Sequence, residues 1–216
     1  MEYAPYEAAT FNTLPSLKEA EDTYTKNHLE DHVFSGLREI FLRHHVHDRL
    51  KLLLMHRHFD LHESELLVHV GNIALPWKQG ETKPELLERV VPTQWQFLQN
   101  QNGITPTEFE FCENGGADSV DLTALEPFLT DFESYLRTHG LTRFFGLGRH
   151  DADDLAQPVG IELTEGRANL TMPWDLAEGG QAPVEVAWYF DPNPLVRQGC
   201  VGLCSRKGVN HFQPHM

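Results

Sequence analysis

Histidine is the residue type whose number and placement in this sequence bear most directly on chemistry. The chain has 13 histidines among 216 residues, and nine of them lie between His28 and His69. Imidazole titrates near neutral pH and is the most common protein ligand of transition metals, so a dense group of histidines indicates metal binding or proton transfer. Three groups of residues have spacings that match these roles.

The first group lies in the segment 27–55, which is predicted to form a long helix. Its apolar residues occupy two opposite faces of the helical wheel, a pattern typical of a buried, central helix. His44, His47 and Asp48 interrupt one face at i, i+3 and i+4 spacing, so their side chains can meet at one point. We expect a metal site there, with Asp48 as a catalytic acid or ligand. A hydrogen-bonded His44–Asp48 core pair and an exposed helix surface are the alternatives.

The second group is His56 and His58, at the end of the same segment. If the chain is extended at this point, both imidazoles point to one side, as metal ligands on a strand do. Asp60 would then orient one imidazole through a hydrogen bond. The alternative is that both histidines are solvated beside the C-terminal end of the helix, where the helix dipole favours them.

The run His56-x-His58-x4-Glu63 also resembles the first half of the cupin metal motif, over about eight residues. A long predicted helix precedes this run where a cupin has strands, and no second half of the motif follows. We therefore transfer neither the fold nor the function of that family to this chain.

The third group is the line Cys200-x3-Cys204-x6-His211-x3-His215 near the end of the sequence. The Cys and His spacings are typical of structural zinc sites. If 200–204 is a strand, the two sulfurs lie about 13 Å apart and cannot share a tetrahedral ion, whereas a turn at Gly202 would bring them together. Alternatively, these residues are spectators, one Cys is reactive, or a tail histidine completes the site begun by His44.

The elements that must position these groups indicate an α+β fold. The long, buried N-terminal helix and further helices are expected to pack on a mostly antiparallel sheet formed largely by the C-terminal half. Strands are predicted at 65–70, 107–112, 144–147, 159–164, 168–172 and 184–190, and helices at 84–90 and 122–136, with a further segment at 93–100. We expect one domain over 1–216, with an arm at 1–25 and a possible boundary near residue 104.

Composition excludes several classes of protein. The apolar fraction of 40% and the charged fraction of 23% are typical of globular chains. The formal net charge of −15 argues against nucleic acid and anionic membranes as partners. The eight acids within 108–133 are interpreted as a solvated face. Three cysteines and the lack of a secretory signal or a long apolar run predict a cytoplasmic location.

Three functions follow from these patterns. The first is a metal-dependent enzyme, of oxygenase, isomerase or lyase type, that acts on a small organic molecule through a divalent Fe, Cu, Mn or Zn ion. The second is a non-catalytic, acidic interaction protein with a structural zinc site in its tail. The third is a metal-free enzyme that uses a His–Asp or Cys–His pair.

Overall fold

A computed structural model describes residues 1–113, 119–150, 159–174, 182–193, 195 and 199–205. The strands of this part of the chain are β1 (Leu50–Leu54), β2 (Glu65–Val70), β3 (Ile73–Lys78), β4 (Val90–Phe97), β5 (Ile104–Phe111), β6 (Phe145–Arg149), β7 (Gly160–Glu165), β8 (Ala168–Pro173), β9 (Val184–Tyr189) and β10 (Gly199–Cys204). The helices are α1 (Ala8–Phe11), α2 (Leu17–Lys26), α3 (Glu30–His32), α4 (Arg38–Arg43), α5 (Pro84–Leu87) and α6 (Glu126–Thr138), with a π-helical turn at Val33–Leu37 and a 3-10 turn at Leu122–Leu125.

The strands form one closed barrel in the order β1-β6-β4-β5-β2-β3-β8-β7-β10-β9, and β9 pairs again with β1. The pairs β2–β5 and β7–β10 are parallel. The other eight neighbouring pairs are antiparallel. Closure gives each of these strands a neighbour on both sides. Because successive side chains of a strand point to opposite faces, they alternate between the inside and the outside of the barrel.

This architecture shows that the predicted α+β fold is wrong. The chain forms a mixed barrel with few helices, and no long N-terminal helix packs on a sheet from the C-terminal half. Five of the ten strands, β1 to β5, come from residues before 112 and share the barrel with those that follow. The assignment of 1–216 to one domain stays a prediction.

The segment predicted as one long helix ends after Arg43. His45 has a φ of 53°, in the left-handed region. Its N–H donates to the carbonyl of Leu42 at 3.2 Å, and the N–H of Val46 donates to the carbonyl of Phe41 at 3.3 Å. These two bonds form a Schellman motif, which ends a helix. Glycine usually occupies the left-handed position, and because histidine does so here, the sequence carries no glycine signal for the helix end.

β1 follows this helix end, and both of its faces are covered. Leu50, Leu52 and Leu54 belong to the apolar cluster that also contains the helices outside the barrel. Leu53 and Met55 belong to a second cluster, toward the barrel interior. A strand covered on both faces has a nearly continuous apolar run, and periodicity cannot distinguish such a run from a buried helix. This is the physical reason that 50–55 was predicted to be helical.

The N-terminal residues cover the interior cluster. Phe11 and Leu14 pack with Leu53 and Met55 in one buried group. The side chain of Asn12 exchanges two hydrogen bonds of 2.8 Å with the backbone of Leu61, and this anchors the segment. The predicted arm 1–25 therefore contains α1 and most of α2, and its first part packs against the barrel.

Most of the remaining elements agree with the sequence patterns. The strand at 65–70 is confirmed, and so, within one or two residues, are the four predicted strands after residue 143. The helix predicted at 122–136 is confirmed as the 3-10 turn followed by α6. Predictions near prolines are less accurate, because Pro76 and Pro92 lie in β3 and β4, where a loop and a helix break were expected. Among the described residues, no helix has the length and apolar character needed to cross a membrane.

The close packing of β6 on β1 gives a test of the barrel. A Cβ at Gly146 would overlap both the Met55 side chain and the backbone oxygen of Trp95, whereas a Cβ at Gly80 would meet nothing within 4 Å. We expect Gly146→Ala to lower the free energy of unfolding by about 1–3 kcal/mol. The matched control Gly80→Ala should change it by less than about 0.5 kcal/mol. Thermal denaturation of both variants measures this, and equal stability would contradict the packing of β6 on β1.

Candidate metal centre

His56 and His58 lie in the extended segment that leaves β1. The N–H of Arg57, between them, donates to the carbonyl of Pro15 at 2.8 Å, and the Arg57 guanidinium donates to the carbonyl of Leu14. The backbone of 56–58 is thereby held against the N-terminal segment. Since side chains alternate along an extended chain, both histidines lie on the side opposite Arg57, and both line the same cavity as Leu53 and Met55.

Glu162 and Cys204 approach the same place from the parallel pair β7 and β10. The two residues are directly opposite each other in the register of these strands. Opposed residues in a sheet have neighbouring side chains, so the carboxylate and the thiol lie on the same face. Cys204 is buried, and Glu162 and the two histidines are partly buried.

The four side chains offer one ligand atom each, and these atoms lie within 4.8 Å of one another. The Nε2 atoms of His56 and His58 are 3.2 Å apart, and the Cys204 Sγ is 3.3 Å from the Nε2 of His56. Glu162 Oε1 is 2.7 Å from the Nε2 of His58 and 3.8 Å from the Cys204 Sγ. Tetrahedral coordination at about 2.0–2.3 Å places neighbouring ligands about 3.3–3.6 Å apart. The cluster can therefore hold a metal ion after small adjustments.

His56 and Glu162 are in the protonation states that a metal ligand requires. The Nδ1 of His56 lies 2.8 Å from the carbonyl of Leu54, so Nδ1 carries the proton and Nε2 presents its lone pair to the cluster. Burial lowers the pKa of His56, and the neighbouring His58 adds to this effect, so His56 is neutral at pH 7. Burial would raise the pKa of Glu162, but the hydrogen bond and charge of His58 outweigh it and lower that pKa, so the carboxylate is ionised.

The cluster borders a cavity of about 280 Å³. Residues from eight of the ten strands line it, which places it inside the barrel. Part of its wall is apolar, and it includes Phe11, Leu53, Met55, Phe59 and Leu67. This volume is at the lower end of the range for pockets that bind small molecules.

A second polar group lines the same cavity. The Nε2 of His69 on β2 lies 2.6 Å from Glu108 Oε2 on β5. The side-chain amide of Gln94 on β4 donates to the same carboxylate oxygen at 3.0 Å. Burial opposes protonation of His69, but the hydrogen bond and charge of Glu108, together with the fields of Glu162 and Glu110, outweigh it and raise the pKa of His69.

The structure brings His56, His58 and Cys204 together, but it separates the first predicted group. His44 caps α4, and its Nε2 lies 2.9 Å from Asp131 on α6, outside the barrel. The Nε2 of His47 lies 3.6 Å from Asp191. Asp48 is an exposed turn residue. Because the helix ends at His45, the predicted i, i+3, i+4 geometry does not exist here.

The other predicted residues have different surroundings from those expected. Asp60 is exposed and accepts a hydrogen bond of 2.6 Å from the Nε of Arg57, with no contact to an imidazole among the described residues. Cys200 and Cys204 lie four residues apart in β10, which corresponds to about 13 Å along a strand. The backbone at 200–204 is a strand, and not the turn at Gly202 that was the alternative. His211 and His215 lie outside the described residues.

Sequence reasoning missed Glu162, His69 and Glu108. Glu162 and His69 lie in strands that were predicted, but alternation does not tell which face of a strand is inside a barrel. Glu108 was counted among the acids of a solvated face, yet its side chain is only 13% exposed. The one available signal was the position of His69 within the otherwise apolar run 66–70.

Comparison of the chain with protein-family models, with curated proteins and with solved structures finds no match.

The His69–Glu108 pair predicts a pH effect. We expect the imidazole of His69 to titrate above its ordinary value near 6.5, and to titrate lower in Glu108→Gln, because the variant lacks the negative charge. The stability that the pair contributes is fully present below pH 6.5 and is lost as pH rises through the raised pKa. NMR titration of the imidazole signals measures this, with the exposed His62 as the internal control. An unchanged His69 titration in the variant would contradict it.

Proposed function

We propose that this protein is a metal-dependent enzyme that acts on a small organic molecule inside the barrel. The observation that carries the proposal is the convergence of four ligand atoms from three separate chain segments at the wall of an interior cavity. Four such groups at ion-pair and hydrogen-bond distances are costly to bury unless they are paired or bound to a cation. A divalent ion would satisfy all four.

The donor set favours zinc. Two imidazole nitrogens, a thiolate and a carboxylate are all common zinc ligands, and zinc prefers the tetrahedral arrangement that the separations approach. A thiolate ligand disfavours manganese, which prefers oxygen donors, whereas iron and copper accept the same side chains. The identity of the ion is therefore an outcome of metal analysis.

The chain's own residues would select and hold the substrate. The cavity volume of about 280 Å³ limits the substrate to a small molecule. Its apolar wall would exclude water around the reacting atoms, which strengthens electrostatic interactions within the site. When bound, the ion would act as a Lewis acid on an oxygen atom of the substrate.

Metal content is the first test. We expect about one ion per chain in tag-free wild-type protein, and loss of most of it in His58→Ala, Cys204→Ser and Glu162→Gln, because each variant removes a ligand. The matched controls are His62→Ala, Cys112→Ser and Glu165→Gln, which change residues of the same types outside the cluster. Elemental analysis by mass spectrometry measures the content, and circular dichroism establishes that each variant is folded.

Two results of this metal analysis would contradict the proposal, and they lead to different interpretations. A metal-free wild type, even after reconstitution, would remove both metal-based functions and leave the metal-free acid–base enzyme as the interpretation. Zinc that is lost from Cys200→Ala and kept in His58→Ala and Glu162→Gln would move the site to the predicted tail cluster.

A structural metal is the second candidate. The observation in its favour is that all four positions of a tetrahedral ion would be filled by side chains, as in structural sites. Such an ion would fasten β7 and β10 to the segment after β1, across 148 residues between His56 and Cys204. A catalytic ion must in addition accept an outside ligand, from the cavity.

Cobalt substitution separates the two candidates. We expect the Co²⁺ protein to show the visible bands of a tetrahedral ion and a thiolate charge-transfer band that disappears in Cys204→Ser. Azide or imidazole should change the visible bands of an enzyme, because the ion borders the cavity and can take a further ligand. A spectrum that does not respond to either would favour the structural role.

The remaining features of the proposal rest on composition. The net charge of −15 disfavours nucleic acid and anionic membranes as partners. The low cysteine count is the basis for proposing a cytoplasmic location.

A further inference from the structure

The His69–Glu108–Gln94 group has a geometry that the metal cluster does not explain. Its three residues come from three adjacent strands, β2, β5 and β4, and all of them line the cavity that the cluster borders. The side chains of His69 and Glu108 are 21% and 13% exposed. A charge pair with so little access to water is costly, and an apolar pair would fill this position in a barrel core with less cost.

The hydrogen bonds of this group orient the imidazole. Glu108 Oε2 lies 2.6 Å from the Nε2 of His69, and the Gln94 amide donates a second hydrogen bond to the same carboxylate oxygen. The remaining ring nitrogen, Nδ1, is therefore the one that can exchange a proton with a molecule in the cavity. A carboxylate that orients a histidine and stabilises its protonated form is the arrangement of a general acid–base pair.

We propose that His69, positioned by Glu108, is the general base and acid of this site, and that the substrates are small carbonyl compounds with a hydrogen on the carbon beside the carbonyl. This inference rests on the proposed function. A metal ion held by the cluster and a base at His69 would both border this small cavity. Together they match such a substrate, because the ion would polarise the carbonyl oxygen while the base removes the hydrogen from the neighbouring carbon.

The proton transfer balances without a further reactant. The bond between carbon and hydrogen breaks, its electron pair stays on the substrate as the enolate, and the proton passes to the Nδ1 of His69. Return of a proton from that nitrogen to carbon restores a carbonyl compound. In heavy water the returning particle is a deuteron, so the step appears as isotope exchange even when no net product forms.

The charges around His69 support this role. The groups that raise the pKa of His69 are Glu108 and Glu110 of β5 and Glu162 of β7. The basic or imidazole side chains of Lys51, His56 and His58 also line the cavity. The three carboxylates raise the pKa of His69 against the effect of burial, which favours the protonated state that follows proton abstraction. Loss of the Glu108 charge should therefore shift the pH dependence of the base to lower pH.

The test is deuterium exchange followed by proton NMR in heavy water. Zinc-loaded wild-type protein is incubated with hydroxyacetone, a neutral probe, and with pyruvate, an anionic one. We expect faster exchange at the carbon beside the carbonyl than with the same protein treated with a chelator. His69→Gln should reduce the exchange rate by about 100-fold or more while keeping about one ion per chain, since general acid–base catalysis contributes about that much.

Glu108→Gln tests whether Glu108 positions His69. It also tests the acid–base role of His69 if His69→Gln does not fold. We expect this variant to retain metal and part of the exchange activity, with its pH–rate profile displaced to lower pH. A residue with a merely structural role would not move that profile. The matched controls His62→Gln and Glu63→Gln, both exposed in the wild type, should leave the rate and the profile unchanged.

Several results would overturn the inference. The inference is wrong if metal-loaded wild-type protein exchanges deuterium no faster than the chelator-treated protein with either probe. It is also wrong if the exchange rates of wild type and His69→Gln are equal. An unshifted profile in Glu108→Gln would remove the positioning role. Absence of metal from the wild type is a separate result, which overturns the proposed function and this inference together.

Discussion

The need to pair buried charges governs the interior of this barrel. Charged side chains lose most of their hydration there, and an unpaired one would cost several kcal/mol. Each of three interior acids has a close cationic or imidazole partner: Glu162 has His58, Glu108 has His69, and Glu65 has Arg167. These pairs join segments that are distant in sequence, and one of them, His69–Glu108, joins the neighbouring strands β2 and β5.

The two faces of β1 connect the barrel to the candidate centre. Its leucines at 50, 52 and 54 pack under the helices, and Leu53 and Met55 point inward. β1 ends at Leu54, and the extended segment after it carries His56 and His58, whose backbone is held by the N-terminal segment. Close approach of Gly146 to Met55 on the neighbouring strand leaves no space for this register to slip. The N-terminal segment that packs against Leu53 and Met55 therefore also holds the backbone that carries two of the four ligand atoms.

The cavity combines two kinds of chemistry at its wall. The cluster of His56, His58, Glu162 and Cys204 provides nitrogen, oxygen and sulfur donors at separations close to those of a tetrahedral ion. The His69–Glu108 pair provides an oriented imidazole that is not part of that cluster. A metal ion held by the cluster and a base at His69 would together provide the catalytic arrangement proposed above. The cluster alone, or the His69–Glu108 pair alone, would be equally consistent with a role in stabilising the fold.

The sequence by itself determined most of the later strands, the helix after Asp121 and the His-x-His pair at 56–58, because local periodicity and spacing carry that information. It did not determine the helix end at His45, where a non-glycine residue takes the left-handed conformation, nor the strand nature of 50–54, whose two faces are both buried. Only the tertiary structure decided that Glu162 and Cys204 join the two histidines and that Glu108 faces His69. Alternation along a strand tells which residues share a face, but barrel closure decides whether that face meets water or a cavity, and that closure depends on pairings between residues more than 100 positions apart.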